Sequence, residues 1–303
     1  MKETVVIPPI PYSASLIDDI EYKRVPATSS GYNPSQTRGL KMQILVPRSE
    51  DRTHPQTPCP IVVYSVGGGW ATPLVKFRLS CGVELTKRGF LVVMPEYRGR
   101  EYFRSLRDPI TDVRSAVRYI RKHAATYFGD PDKIVLMGDS AGGHLSLLAA
   151  YAGAEYDDPE DDLRISAETN GVIDLFGPVA LGRILDDLYA EGTADDLLKQ
   201  HLKNAFTEIT RTLDIEKQKT LVEGYTPLHW ISRERKLPPT LIAQGDRDVI
   251  VQPWNSEMLY DRLTECGQDV RYYLLPDARH GDMRFYGTEM TDRCEDFIRY
   301  CVQ

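Results

Sequence analysis

From residue 61 onward, short runs of consecutive apolar residues alternate with stretches in which apolar residues recur every three or four positions. Residues 61–64 (IVVY), 90–94 (FLVVM), 134–137 (IVLM) and 240–243 (TLIA) predict central parallel strands buried on both faces. Between two of them, Val113, Ala116, Val117 and Ile120 stand at i, i+3, i+4 and i+7, one face of an amphipathic helix. Pro253 opens a further helix carrying Met258, Leu259 and Leu263, and Gly267 closes it. Residues 271–275 predict a last strand and 292–302 a last helix. Nearer the N-terminus, 20–25 and 40–46 alternate apolar with polar, as half-buried strands do, and Pro47 closes the second. Strands alternating with helices imply the α/β class: a mostly parallel sheet, helices on both faces, and an active crevice at the strands' carboxyl ends.

One segment breaks this alternation. Residues 181–225 are charged and helical in pattern with no strand among them, and Leu198, Leu202, Ala205, Phe206 and Ile209 recur at helical spacing after a capping-box pattern at Thr193 and Asp196. The expectation is a single domain over 1–303 with a helical cap inserted at 181–225, placed to act as a lid. Packing of that insertion against the sheet edge is the plainer alternative.

Composition narrows the class. With 303 residues and 42% hydrophobic content, the chain can bury a sizeable core. A formal net charge of −7 argues against nucleic-acid or anionic-membrane partners. No apolar run approaches the ~18 residues of a transmembrane helix, and the first residues lack the features of a secretory signal. Five cysteines at positions 59, 81, 266, 294 and 301 show no metal-ligand spacing, which points to free thiols, a reducing compartment and a cytoplasmic location.

The chemistry begins at Gly138-Asp139-Ser140-Ala141-Gly142, where an apolar strand turns into a helix. The G-x-S-x-G spacing puts Ser140 on a sharp elbow that exposes its hydroxyl beside the helix N-terminus, the position of a nucleophile. A serine hydrolase then needs a base, an orienting acid and donors for an oxyanion. Two acids follow the strand at 240–243; Asp246 most simply shapes the turn after Gly245, which leaves Asp248 as the orienting acid. Of six histidines, His54 lies in a proline-bearing loop, His123 ends a helix and His201 sits in the insertion. His144 follows Ser140 down the helix, and His229 reads as a packed loop residue. His280, on a short loop after the last strand, is the candidate base. Ser140, Asp248 and His280 stand in the chain order of an α/β-hydrolase triad. The amide of Ala141 and the glycine run Gly67-Gly68-Gly69-Trp70 are the candidate oxyanion donors. Phosphate binding by that run is disfavoured, because no G-x-x-x-x-G-K-[ST] pattern or adjacent lysine accompanies it.

These residues, with Glu96-Tyr97-Arg98, Gly143-His144-Leu145, Pro227-Leu228 and His280-Gly281, resemble the carboxylesterases of the α/β-hydrolase superfamily. The resemblance runs from about residue 40 to the C-terminus. It is to the hormone-sensitive-lipase-like branch, which includes small bacterial esterases and feruloyl-esterase-like proteins. It implies Ser140 as nucleophile, Asp248 as acid, His280 as base, an oxyanion hole of the Gly68, Gly69 and Ala141 amides, and no cofactor. Val66 departs from the family pattern, which usually has a histidine before the three glycines. The 181–225 insertion is also long for the feruloyl-esterase-like members. The expected activity is hydrolysis of small soluble esters with short or aromatic (hydroxycinnamoyl) acyl groups. An amidase or aryl-formamide hydrolase with the same triad, and a non-catalytic binder on this scaffold, are the alternatives. Trp70, Tyr97 and Tyr225 are the candidate substrate contacts, with Trp230 and Phe285 as further aromatics near the crevice.

Overall fold

A computed structural model of the chain describes residues 10–27, 36–49, 55, 57–190 and 197–303. Its sheet has eight strands: β1 (Ser13–Pro26), β2 (Thr37–Arg48), β3 (Cys59–Ser65), β4 (Leu91–Pro95), β5 (Gly129–Asp139), β6 (Gly171–Leu175), β7 (Thr240–Gly245) and β8 (Val270–Leu275). They lie in the order β1-β2-β4-β3-β5-β6-β7-β8. The β1–β2 and β2–β4 pairs are antiparallel, and every pair from β4 to β8 is parallel.

The helices are α1 (Leu79–Thr86), α2 (Arg107–His123), α3 (Ala141–Tyr151), α4 (Leu181–Tyr189), α5 (Leu197–Thr210), α6 (Ile215–Glu223), α7 (Trp254–Glu265) and α8 (Thr288–Cys301). Two hydrophobic cores explain the uninterrupted apolar runs. Ile61, Val63, Leu91, Val93, Ile134 and Leu136 face one core with α2, α3 and α7. Their neighbours Val62, Tyr64, Val92, Val135 and Met137 face the other with α1 and α8. Because side chains alternate across a strand, a sheet covered on both faces needs apolar residues at consecutive positions.

The structure adds one strand to those predicted. β6 is five residues long, carries Asp174, and lies between β5 and β7. β1 extends well beyond the predicted 20–25, and α8 begins before the predicted 292. His54, Thr193 and Asp196 lie outside the described residues. Helices α4, α5 and α6 all fall between β6 and β7, with no strand among the described residues of that stretch. Among the described residues no helix is long and apolar enough to cross a membrane.

Candidate active site

Ser140 immediately follows β5 with φ 52° and ψ −124°, a left-handed backbone that a residue with a Cβ adopts only under constraint. Its amide donates to the Leu175 carbonyl at 2.8 Å, and its carbonyl accepts the His144 N–H at 3.1 Å. Two glycines permit the close approach. A Cβ on Gly142 would lie 2.0 Å from the Ser65 carbonyl oxygen, and one on Gly138 would lie 2.2 Å from that of Gly142.

The three candidate triad residues meet at this rim. Ser140 Oγ lies 2.9 Å from His280 Nε2, and His280 Nδ1 lies 2.7 Å from Asp248 Oδ2. Asp248 is buried, and its other oxygen accepts the amides of Ile250 and Val251 at 2.9 Å each. Gln244 Nε2 adds a third donor at 3.3 Å. A carboxylate so fixed accepts Nδ1–H, which leaves Nε2 free to accept the serine O–H. Asp246 is exposed and accepts the Asp277 amide at 2.6 Å, closing the turn. Phe176, just beyond β6, packs edge-on against the His280 ring at a centroid distance of 4.9 Å.

The glycine loop after β3 lacks the histidine of the family pattern but is tied at nearly every residue. Tyr97 Oη donates to the Val66 carbonyl at 2.7 Å, and the Gly67 amide donates to Asp139 Oδ1 at 2.9 Å. Arg100 Nη1 donates to the Gly69 carbonyl at 2.8 Å, and the Arg100 amide to the Trp70 carbonyl at 2.6 Å. The Trp70 indole donates to His144 Nδ1 at 3.2 Å, and the Thr72 amide to Glu101 Oε1 at 3.0 Å. The amides of Gly68 and Gly69 have no acceptor among the described residues. Ala141 stands in the first turn of α3, where N–H groups have no intrahelical partner. Three amide donors are thus available around the serine.

His144 is fully buried between Trp70 and the Tyr225 carbonyl, to which Nε2–H donates at 2.8 Å. Because an indole only donates, Nδ1 is the acceptor and the tautomer is fixed. Burial lowers its pKa to about 4, so it stays neutral. Asp174 is equally buried; desolvation raises it to about 7, against the one amide, Gly177 N–H, that bonds its Oδ1. Its Oδ2 finds no partner among the described residues.

A cavity of about 460 Å³ opens over the serine. Trp70 lines it, with Leu74, Phe77, Phe176, Pro178, Ile250 and Val251 among its walls, and Ile184, Leu198, His201, Leu202 and Phe206 of α4 and α5 on another side. The structure corrects two expected substrate contacts. Tyr97 is fully buried beneath the glycine loop with its hydroxyl spent on Val66, and Tyr225 stacks on Tyr156 with its carbonyl on His144. Neither is among the described residues lining the cavity, nor are Trp230 and Phe285. His229 is half-exposed and pairs with Glu223 at 2.9 Å, where the sequence suggested a packed residue. Pattern reading missed Asp139, Arg100 and Arg78; only Asp139, inside the elbow motif, carried any signal. All five cysteines are free.

The strand order, the strand-to-helix serine and the acid and histidine beyond β7 and β8 define an α/β-hydrolase fold. The BD-FAE family model matches residues 42–263, and the chain belongs to that family. Among solved structures, it is similar to a truncated carbohydrate esterase from gut microbiota, with a TM-score of 0.75 at 22% identity over 97% of this chain and 98% of that one. It is also similar to esterase Est2 of Thermogutta terrifontis, with a TM-score of 0.63 at 25% identity over 85% of this chain and 86% of that one. Among curated proteins, a probable isoprenylcysteine alpha-carbonyl methylesterase of Arabidopsis thaliana is 25% identical over 75% of this chain and 46% of its own length. Esterase LipC of Mycobacterium tuberculosis is 24% identical over 75% of this chain and 54% of its own. The chain thus spans about half the length of the curated relatives it matches.

Proposed function

We propose that this protein is a serine carboxylesterase acting on small esters through an acyl-enzyme. The observation that carries the reading is the hydrogen-bonded line Ser140–His280–Asp248 beside three available amides. In this reading His280 Nε2 takes the serine proton as Oγ attacks the ester carbonyl. Asp248 stabilises the resulting imidazolium, and the Gly68, Gly69 and Ala141 amides receive the oxyanion. Nε2–H is then given to the departing alkoxide, and a water repeats the sequence to release the acid. The apolar cavity supports short-chain or aromatic acyl groups. The relatives named as esterases support the reaction class. We read the whole chain as one domain with 181–225 as its cap, because α4 and α5 supply part of the cavity wall. The free thiols support a reducing, cytoplasmic setting.

Ser140→Ala is expected to lower kcat for p-nitrophenyl butyrate by ~10⁴-fold or more with an unchanged circular dichroism spectrum. A fluorophosphonate probe should label the parent and not the variant. Undiminished turnover in the variant would reject the reading.

A further inference from the structure

The cavity over the serine is walled mainly by apolar side chains; besides Ser140 and His280, its polar lining residues are Thr72, Arg78, Asp139 and His201. Arg78 is the one permanently cationic side chain among its described lining residues. It reaches the site from the short helical turn before α1, and its guanidinium lies between the two reacting loops. On one side Nε contacts Asp139, the residue before the serine, at 3.4 Å. On the other, Nη2 lies 3.8 Å from where a Cβ on Gly281, the residue after His280, would stand. The guanidinium carbon lies over the Tyr286 ring, 4.4 Å from its centroid, with Phe77 flanking at 5.3 Å.

Asp139 does not use up this cation. Its two oxygens also accept from Tyr64 Oη at 3.0 Å, Gly67 N–H at 2.9 Å and Tyr286 Oη at 3.1 Å. The Arg78 contact is the longest of the four, and it involves Nε alone. Nη1 and Nη2 have no hydrogen-bond partner among the described residues, and neither is buried out of reach of solvent. A rigid fork of N–H donors facing an apolar cavity matches the geometry of a carboxylate. A neutral acyl chain would gain nothing from it, whereas an unpaired carboxylate would be excluded from such walls.

We propose that Arg78 is a specificity residue that binds a carboxylate on the substrate, so that the preferred esters are anionic. These are half-esters of dicarboxylic acids or acyl esters of hydroxy acids, with the carboxylate a few bonds from the scissile carbonyl. The inference rests on the esterase reading of the same site. The cation sits between the nucleophile and base loops, so either side of the ester can carry the charge, and two substrate pairs distinguish them.

Monoethyl adipate against ethyl hexanoate tests the acyl side, and 4-acetoxybutanoate against butyl acetate the alcohol side, each followed by titration of released acid. The parent should favour the anionic member of at least one pair in kcat/KM. Arg78→Met should reduce that preference ratio ~10-fold or more, mainly through KM, and Arg78→Lys should retain part of it. If Arg78 only braces Asp139, both members of a pair decline together and the ratio stays fixed; that result overturns the proposal. So does a parent enzyme that favours the neutral ester in both pairs, a result that needs no variant to fold. A parent inert on all four esters and on p-nitrophenyl butyrate would instead remove the esterase reading, and this inference with it.

Discussion

Trp70 shows how one side chain links the sheet, the glycine loop and the helix behind the serine. Its backbone adopts φ 59°, its indole N–H reaches His144, and its ring packs near Phe206 of α5 at 6.1 Å between centroids. Trp70→Phe keeps most of the packing but removes the donor, leaving a buried imidazole nitrogen unpaired at a cost of roughly 1–3 kcal/mol. The expected outcome is a lower Tm and a kcat reduced ~10-fold for p-nitrophenyl butyrate at similar KM, since the shifted groups are the amides proposed to receive the oxyanion in the transition state. A change confined to KM would instead make Trp70 a wall of the cavity and nothing more. His144 shows the limit of reading a motif by spacing. Its place after the serine excludes it as base, yet the partners that make it a brace lie at positions 70 and 225, which local pattern does not connect.

At the scale of elements, α5 and the glycine loop are joined through Arg100. Its Nε donates to Glu208 Oε2 at 2.5 Å while its Nη1 holds the Gly69 carbonyl. Arg211, just past α5, donates to the carbonyls of Arg100 and Phe103 at 2.8 and 3.1 Å. Removing Arg100 frees the peptide next to the Gly69 amide. Arg100→Ala is therefore expected to lower kcat ~10–100-fold, and Glu208→Gln by a few-fold, because an exposed partner contributes modestly. Steady-state kinetics on a neutral ester check both. Equal effects of the two substitutions would place the role in the ion pair and not in the loop.

The fold was legible wherever burial on both faces forced an uninterrupted apolar run, as in β3, β4, β5 and β7. β6 escaped because Gly171 and Asp174 break the run in a strand of five residues, and only its neighbours in the sheet make it a strand. The candidate triad residues were legible because each follows a recognisable strand. The tethers on the glycine loop were not, since Asp139, Tyr97 and Arg100 meet it only through tertiary placement. The α5 side of the cavity was half-legible: periodicity found the apolar stripe of α5, but not that His201 and Leu202 line the cavity.

At the scale of the whole molecule, two buried groups set opposite pH dependences of stability. His144 is held near 4, so between pH 6.5 and about 4 the unfolded chain takes up a proton that the folded chain refuses, and stability falls with acid. Asp174 is held near 7, so between about pH 4 and 7 the folded chain keeps a proton that the unfolded chain has lost. Stability from that group therefore declines as pH rises through this window. Asp174→Asn should match the parent in Tm near pH 4 and exceed it by roughly 2 °C or more at pH 8. Thermal unfolding across pH checks the sign; a gap that narrows toward pH 8 would contradict it.

β6 donates no reacting group, yet it keeps β5 and β7 two ladder spacings apart, each ~4.8 Å. The separation of the two strand ends that carry the candidate serine and the candidate acid is therefore gauged by main-chain pairing, not by any side chain. The side chains of α4 and α5 that line the cavity can change in size and polarity without altering this ruler, which separates the shape of the cavity from the framework of the candidate site.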